Sequence, residues 1–452
     1  MAPGKYLKQQ PKKPVWLWLA SAAVLVVALA AALMALWDSE ETPTLSGDGT
    51  TAPSTQQTTT MPETQQTTVT TEPYVTETVS VGVTGDILMH NPVLEAAKKG
   101  DTYDFRDSYE YIAPYYQQFD FMVANLEVTL GGTKAGKYQG YPTFNCPDQV
   151  VDALKEAGVD LLLTANNHSY DTGMNGMLRT QQVIKEKGLP NLGTVENAGD
   201  SFWRVQQIGG IRVGMVCYTY ESGKTADGRK QLNGITLSQD AQGLISSFSY
   251  NDLEGFYAAV KKDLADMEAA GAEASMVYIH WGNEYQLQPN NTQKTIAQSL
   301  CDLGVDVIVG GHPHVIQPFE MLESGEHTTY CIYSVGNAIS NQSRNSLKSY
   351  SNARYTEDGM IFGVEFQKWN DGTVEVSGIS ILPTWVHRES RKVYDIIPLD
   401  PAVSAWNGYD VGNLSMTYES YERTMSLVGK GYNACLQKFG LPEVPLVFKP
   451  AA

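Results

Sequence analysis

The amino-acid sequence predicts an α/β fold whose sheets are covered by helices on both faces. From Val79 onward, short apolar runs alternate with amphipathic stretches of helical length. Apolar runs separated in this way by helices are typical of strands buried on both faces of a sheet. After residue 315 the apolar runs follow one another closely, which predicts hairpins or a second sheet.

The predicted elements follow in order along the chain. We expect six strands, over residues 79–86, 119–127, 159–166, 211–218, 274–281 and 305–312. We expect five helices between them, over residues 108–118, 148–158, 177–188, 252–271 and 292–304. Further strands are predicted in PFEMLE, TTYCIYSVG, GMIFGVEFQ and TVEVSGISILP, and a helix is predicted at the end of residues 414–440. One domain over residues 79–400 is therefore expected, with a helical extension over residues 401–452 packed on it.

The N-terminal segment has the pattern of a membrane anchor. Residues 1–14 carry four lysines and no acidic residue, and an uncharged apolar stretch follows over residues 15–37. About 20 apolar residues cross a bilayer. A cleaved signal peptide is the alternative, but its apolar core is usually about 7–15 residues long and ends in a small-residue cleavage site. We expect a single-pass anchor in the cell membrane, with the basic tail in the cytoplasm and the main domain extracellular.

A linker is predicted between the anchor and the domain. Residues 38–78 are rich in Thr, Gln and Pro and nearly free of large apolar side chains. Such a segment buries too little surface to fold, so it is expected to be disordered.

The net charge excludes one class of partner, and the spacing of the cysteines indicates the state of their thiols. Removing the four N-terminal lysines from the formal net charge of −18 leaves −22 on the external part. Phosphate backbones require clustered Lys and Arg, so no nucleic acid partner is expected. The five cysteines are scattered in apolar surroundings without a C-x-x-C pair. They are interpreted as buried thiols, and one disulfide with leftover thiols is the alternative.

Residue types that bind metal ions follow the predicted strands. These are Asp86, Asn125, Glu127, Asn167, His168, His280, Glu284, His312 and His314. Ligands gather at the carboxyl ends of strands in open α/β sheets, so these side chains are expected to meet in one crevice. Imidazole, carboxylate and carboxamide groups together suit Mn, Zn or Fe, and two ions would need about seven of them. His90 follows the first strand closely, whereas His327 and His387 lie outside the pattern and are expected at the surface.

Six motifs carry a resemblance to a known family. GDILMH, NLE, ANNHSYDTG, HWGNEY, GHPHVIQP and SVGN occur in this order between residues 79 and 345. In these motifs the sequence resembles the CapA family of poly-γ-glutamate capsule biosynthesis proteins, which looks like a branch of the calcineurin-like metallophosphoesterases. The resemblance implies a four-layer α/β/β/α sandwich that holds two divalent metal ions.

The resemblance also implies roles for individual residues. The implied metal ligands are Asp86 and His314 for one ion, Asn167, His280 and His312 for the other, and Glu127 as a bridge. His168 would be the general acid near the leaving group, oriented by Asp171. Further candidate ligands are His90, Asn125, Glu284 and Asn337.

The sequence departs from the usual metallophosphoesterase pattern in three places. Leu88 stands where D-x-H supplies an imidazole, and His90 is the nearest replacement. N-L-E at residues 125–127 replaces G-D-x-x-D, and N-N-H-S at residues 166–169 replaces G-N-H-E/D. The expectation of two bound ions therefore depends on these substitutes.

Two classes of function remain open. In the first, the protein is a membrane-anchored, metal-dependent hydrolase or transferase that acts on an anionic envelope polymer or a phosphoester. In the second, it is a non-catalytic accessory subunit that binds membrane synthase or export subunits. The presence of Asn167, His168 and Asp171 together favours catalysis. The strong negative charge would repel a polyanion outside the crevice, and the short basic runs at residues 134–140 and 388–392 are typical of solvated surface.

Overall fold

The computed structural model describes residues 72–389, 392–403, 406, 408–412 and 414–447. The basic tail and the anchor predicted over residues 15–37 lie outside the described residues, as does the linker up to residue 71. Within the described part of the chain, none of the helices combines the length and the apolarity that crossing a bilayer requires.

Helices and strands alternate through most of the described chain. The α-helices are α1 (Asn91–Ala97), α2 (Ala113–Tyr116), α3 (Gln149–Ala157), α4 (Gly173–Glu186), α5 (Leu253–Ala269), α6 (Asn291–Asp302) and α7 (Ser415–Lys438). The strands up to residue 248 are β1 (Val75–Ile87), β2 (Lys98–Lys99), β3 (Thr102–Tyr103), β4 (Phe121–Leu126), β5 (Leu161–Leu163), β6 (Asn191–Leu192), β7 (Trp203–Ile208), β8 (Ile211–Tyr220), β9 (Gly223–Lys224), β10 (Lys230–Leu232), β11 (Ile235–Thr236) and β12 (Ser247–Phe248). The later strands are β13 (Ala274–His280), β14 (Val307–Gly311), β15 (Ile316–Ser324), β16 (His327–Val335), β17 (Asn337–Ile339), β18 (Asp358–Trp369), β19 (Val374–Glu389) and β20 (Val393–Pro398).

The long strands form two sheets. The first has the order β20-β19-β18-β1-β4-β5-β6, with β17 also paired to β1. The second has the order β12-β8-β13-β14-β16-β15, with β7 also paired to β8. The neighbours β1, β4, β5 and β6 are parallel, as are β8, β13, β14 and β16. Parallel neighbours need crossover connections, and α3, α4, α5 and α6 lie in those connections.

Successive side chains of each strand point to opposite faces, which produces the layers. Val81 of β1 and Met215 of β8 lie in one buried cluster between the sheets. On the outer face of the first sheet, Met122 packs in a second cluster with residues of α3 and α4. On the outer face of the second sheet, Val277 packs in a third cluster with residues of α5 and α6. The described residues thus form a mixed α/β structure of four layers, which is consistent with a metallophosphoesterase-like domain.

Three predicted elements differ from the structure. The helix predicted over residues 108–118 is only a 3₁₀ turn (Arg106–Tyr109) and α2, because Pro114 near the start of α2 cannot donate a backbone hydrogen bond to a preceding turn. The first strand begins at Val75, earlier than residue 79. The reason is that the long strand β18 pairs with β1 from Val75 onward, including the polar residues at the start of β1. The strand predicted over residues 159–166 ends at Leu163, so that Asn166 to His168 lie in a loop.

The last helix closes one side of the two sheets. Tyr421, Met425 and Val428 of α7 belong to the buried cluster between the sheets. Arg423 of the same helix forms a buried ion pair at 2.6 Å with Asp358, the first residue of β18. The five cysteines are all buried and unpaired, as the sequence predicted.

Candidate metal centre

The candidate site lies where the ends of strands from both sheets meet. In the first sheet, Asp86 of β1 is the register partner of Asn125 on β4 and of Asn337 on β17. In the second sheet, His280 of β13 is the partner of Gly311 on β14. A Cβ atom on Gly311 would lie 3.0 Å from Asp86 Oδ1 and 3.5 Å from His280 Nδ1. Glycine at this position therefore lets Asp86 and His280 approach each other.

The loop after β14 presents two imidazoles to Asp86. His312 and His314 both have positive φ, of 95° and 55°, which is uncommon for residues other than glycine. Such backbone strain costs on the order of 1–3 kcal/mol per residue and is concentrated at functional sites. The backbone N–H of His312 donates to Asp86 Oδ2 at 3.2 Å, and Nδ1 of His314 lies 3.2 Å from the same oxygen.

Two overlapping groups of side chains could each hold a cation. Asp86, Glu127 and His280 form one group, and Glu127, His312 and His314 form the other, with ligand atoms within 4.8 Å of one another in each group. All five side chains are buried, and Glu127 belongs to both groups. The structure thus brings five of the six sequence-predicted ligands together and places Glu127 between two sets. Asn167 is adjacent, because its Oδ1 lies 2.8 Å from His280 Nε2.

Three polar atoms inside this cluster have no hydrogen-bond partner among the residues that the structure describes. They are Oε1 of Glu127 and Nδ1 of both His312 and His314, and all three are inaccessible to solvent. A buried polar atom left without a partner costs about 1–3 kcal/mol, and more when it is charged. Oε1 of Glu127 lies 3.4 Å from His280 Nε2 and 3.9 Å from His314 Nε2. A carboxylate oxygen surrounded by imidazoles in this way fits a divalent transition-metal ion.

The ionisation of the cluster follows from its burial and its charges. Although burial by itself raises the pKa of Asp86, the contact with His314 and the charge of His280 lower it below the usual value. Burial lowers the pKa of His314, but Glu127 and Asp86 oppose this effect and raise that pKa to about 9. Burial and the neighbouring imidazoles of His280 and His314 lower the pKa of His312 well below its usual value. His312 is therefore neutral, as a metal ligand must be.

Beside the cluster, His168 and Asp171 form a buried pair. His168 Nδ1 lies 2.7 Å from Asp171 Oδ2, and the same oxygen accepts the backbone N–H of Phe144 at 2.6 Å. The edge of the His168 ring also contacts the Phe144 ring, with centroids 4.8 Å apart. Because Asp171 occupies Nδ1, Nε2 is the nitrogen of His168 that remains for an external partner.

Two of the further candidate ligands instead position their neighbours. Asn125 Nδ2 donates to Asp86 Oδ1 at 2.8 Å and to Glu127 Oε2 at 3.4 Å, so that it orients both carboxylates. Asn337 Nδ2 donates to the backbone oxygen of His314 at 3.2 Å and thereby supports the strained loop. Oδ1 of Asn337 is buried and has no hydrogen-bond partner in the described part of the chain.

The other two candidates lie outside both ligand groups. Nδ1 of His90 accepts the backbone N–H of Asn341 at 3.4 Å, and burial lowers the pKa of His90 to about 3. Glu284 is exposed. The expectation that His387 lies at the surface was wrong, because His387 is buried with its Nδ1 3.5 Å from Asp395. His327 is half-buried, and its Nε2 lies 2.9 Å from the backbone oxygen of Val305.

Sequence reasoning missed two residues of the site. Nδ2 of Asn166 donates to Asn125 Oδ1 at 3.1 Å, and its Oδ1 accepts the backbone N–H of His168 at 3.1 Å. Asn166 therefore links the candidate ligand groups to the His168–Asp171 pair. In the sequence, the signal for Asn166 was its position directly before the predicted ligand Asn167. Asn233 reaches the pair from a distant hairpin, and its signal was the Asn-Gly dipeptide that marks a tight turn.

Comparison with known proteins gives a consistent result. The sequence model of the family described as "Bacterial capsule synthesis protein PGA_cap" matches residues 80–342. The chain is 30% identical over 284 residues to "Capsule biosynthesis protein CapA" of Bacillus anthracis, covering 62% of this chain and 64% of that protein. It is 27% identical over 331 residues to "PGA biosynthesis protein CapA" of Bacillus subtilis (strain 168), covering 72% of this chain and 78% of that protein.

Among solved structures, the similarity is remote. The crystal structure of TT1561 of Thermus thermophilus superimposes with a TM-score of 0.30 at 10% sequence identity, over 63% of this chain and 94% of that one.

Proposed function

The chain belongs to the bacterial capsule synthesis protein family, and on that premise we propose that it is a metal-dependent hydrolase or transferase that acts in the synthesis of capsule, poly-γ-glutamate or a related envelope polymer. One observation carries the proposal. Two groups of buried ligands share Glu127, whose Oε1 has no hydrogen-bond partner, and they lie beside the His168–Asp171 pair. A buried carboxylate oxygen without a hydrogen bond lowers the stability of the fold, so its position among imidazoles favours a bound cation.

The residues fit two divalent ions of Mn, Zn or Fe. Asp86, Glu127 and His280 would hold one, and Glu127, His312 and His314 the other, with Asn167 beside His280. Ions bound there would supply a Lewis acid and a water of lowered pKa. Nε2 of His168 is the group placed to donate a proton to a leaving oxygen or nitrogen, because Asp171 orients the ring through Nδ1.

The substrate and location belong to the same proposal. The two CapA relatives are named for capsule and PGA biosynthesis, which supports an anionic envelope polymer as the substrate; a phosphoester is the alternative that a two-metal site would suit. The apolar stretch over residues 15–37 supports a membrane-anchored protein with its main domain outside the cell, within reach of synthase or export subunits.

One observation favours a second candidate function, that of a non-catalytic accessory subunit. Leu88 stands where the resemblance calls for an imidazole ligand, and it is packed in the cluster between the first sheet and its helices. His90 does not replace that ligand through Nδ1, because this atom accepts the N–H of Asn341. A site with one ligand fewer binds a metal more weakly and would suit a protein that only binds its partners.

Elemental analysis of the purified full-length chain separates the two candidates. We would measure Mn, Zn and Fe content and screen hydrolysis of poly-γ-glutamate and of bis(p-nitrophenyl) phosphate. The hydrolase or transferase function requires bound metal, turnover that falls with His312→Ala, and turnover that falls by roughly 10²–10⁴ with His168→Gln.

A matched control is available in the same chain. His387→Gln removes another buried histidine that contacts a carboxylate, but far from the described ligand groups in the sequence and outside them in the structure. This variant should keep full turnover. Absence of bound metal, together with turnover unchanged by His312→Ala, would exclude the enzymatic proposal and favour the accessory one.

A further inference from the structure

The turn between β10 and β11 brings Asn233 to the His168–Asp171 pair. Leu232 and Ile235 are register partners, so Asn233 and Gly234 form a two-residue hairpin loop. Both have positive φ, of 47° and 73°. Asn-Gly is the dipeptide that favours such a turn, because both central residues must adopt the left-handed conformation. The turn explains the backbone of Asn233 but does not require its side chain to contact anything.

The side chain nevertheless makes three contacts in the crevice. Nδ2 of Asn233 donates to the backbone oxygen of Pro142 at 3.1 Å. It also lies 3.3 Å from His168 Nδ1 and 3.4 Å from Asp171 Oδ1. The Asp171 carboxylate can only accept, so the hydrogen in its 2.7 Å contact belongs to His168 Nδ1, which then has no lone pair for Asn233. The second amide hydrogen of Asn233 therefore goes to Asp171 Oδ1.

This contact completes the hydrogen bonding of the Asp171 carboxylate. Oδ2 receives His168 Nδ1 and the backbone N–H of Phe144. Among the residues that the structure describes, Asn233 is the group that donates to Oδ1. A carboxylate held at both oxygens cannot rotate, so the imidazole bonded to it keeps its orientation.

Packing holds the hairpin in this place. Leu232 is 1% exposed and lies in a small buried cluster with Tyr170 and Met177. The hydroxyl of Tyr170 accepts the backbone N–H of Ser238 at 3.2 Å, just after β11. Tyr170 stands between His168 and Asp171 in the sequence, so the hairpin is anchored to the loop that carries the pair.

We propose that Asn233 is a positioning residue, which holds the Asp171 carboxylate and through it fixes the His168 imidazole for proton transfer. This inference rests on the proposed hydrolase or transferase function. Asn233 touches neither of the ligand groups, so its removal should leave metal binding intact while the transfer of the proton becomes slower.

Two substitutions remove the donor without disturbing the turn. Asn233→Gly keeps a residue that adopts positive φ at no cost, and Asn233→Asp keeps the size of the side chain and a good turn residue. Thr236→Ala is the matched control, because among the described residues its hydroxyl bonds only to Gln231, within the same hairpin. We would measure kcat and KM for bis(p-nitrophenyl) phosphate with Mn²⁺, and Mn²⁺ content, in the full-length protein.

A second readout does not depend on activity. The Nδ1 proton of His168, hydrogen-bonded to a buried carboxylate, should give a low-field ¹H NMR resonance that is assigned by its loss in His168→Gln. We expect this resonance to broaden or disappear in both Asn233 variants and to persist in Thr236→Ala. We also expect kcat to fall roughly 10-fold in Asn233→Gly, and further in Asn233→Asp, with KM and Mn²⁺ content unchanged.

The outcomes separate this inference from the proposed function. An unchanged resonance and unchanged kcat in Asn233→Gly would overturn the positioning role, as would a loss of Mn²⁺ or of folding, which would make Asn233 a structural residue. If the wild-type protein turns over no substrate, the proposed function fails, while the resonance still decides whether Asn233 orders the imidazole.

Discussion

The carboxylate of Asp86 lies 3.2 Å from Nδ1 of His314, although the two residues come from different sheets. The contact joins the end of β1 to the strained loop after β14, and it is one of several ion pairs between the two sides of the fold. Glu127 adds a second negative charge, with Oε1 3.9 Å from His314 Nε2. In the metal-free protein a proton on His314 therefore compensates two buried carboxylates.

The first prediction is that the stability of the metal-free protein falls between about pH 6.5 and pH 9. Glu127 and Asp86 outweigh burial and raise the pKa of His314 from 6.5 to about 9, so the folded state binds the proton more tightly than the unfolded state. The resulting stabilisation is fully present below the unfolded pKa and is lost as the pH rises through about 9, which removes roughly 3 kcal/mol. Urea unfolding in chelator at several pH values measures it. His314→Gln should abolish this component, and a free energy of unfolding that stays constant over the range would contradict the prediction.

The second prediction is that metal binding releases protons. Near pH 7.5 His314 carries a proton that a cation held by Glu127, His312 and His314 would replace. Loading the metal-free protein with Mn²⁺ should therefore release about one proton per protein near neutral pH and fewer above pH 9. Titration calorimetry in two buffers of different ionisation enthalpy gives the number. A heat that is the same in both buffers would show that no proton leaves.

The third prediction concerns the close approach at Gly311. A Cβ atom there would lie 3.0 Å from Asp86 Oδ1, which is tighter than normal contact, and 3.5 Å from His280 Nδ1. Gly311→Ala should push Asp86 away and lower Mn²⁺ affinity by roughly 10-fold, without a large loss of stability. Gly243→Ala is the control, because a Cβ at Gly243 would be 3.9 Å from its nearest neighbour. Equal affinity in the two variants would show that Asp86 can move without affecting the ion.

The residue types of the site could be predicted from the sequence because these residues stand at the ends of predicted strands. Asp86, His280 and His312 stand at or just after the ends of long apolar strands, and parallel strands of a sheet end on one side. The resemblance pairs Asp86 with His314 and His280 with His312, whereas the two ligand groups of the structure pair Asp86 with His280 and His312 with His314. Glu127 is contacted by Asn125, which in turn accepts a hydrogen bond from Asn166, and sequence spacing alone does not reveal such tertiary contacts.

The contact of Asn233 with the His168–Asp171 pair could not be predicted from the sequence, for a different physical reason. Its turn is visible in the sequence as Asn-Gly. Its place beside His168 depends on the packing of Leu232 against Tyr170, which is a tertiary contact between segments far apart in the chain. The helix predicted over residues 108–118 is interrupted because Pro114 lies within its apolar pattern and cannot donate a backbone hydrogen bond.

The fourth prediction concerns the last helix, which Arg423 joins to β18. Arg423 donates to both carboxylate oxygens of Asp358, at 2.7 and 2.6 Å, and both side chains are buried. Arg423→Met would leave the Asp358 charge buried without its partner and should lower the free energy of unfolding by about 3–5 kcal/mol. The double variant Arg423→Met, Asp358→Asn should recover part of that loss, because it removes the uncompensated charge.

Arg354→Met is the matched control, since Arg354 is exposed and, like Arg423, lies against the ring of Tyr355. Denaturant unfolding of the three proteins measures the differences, and a loss as large in Arg354→Met would mean that the aromatic contact, rather than the ion pair, stabilises the helix.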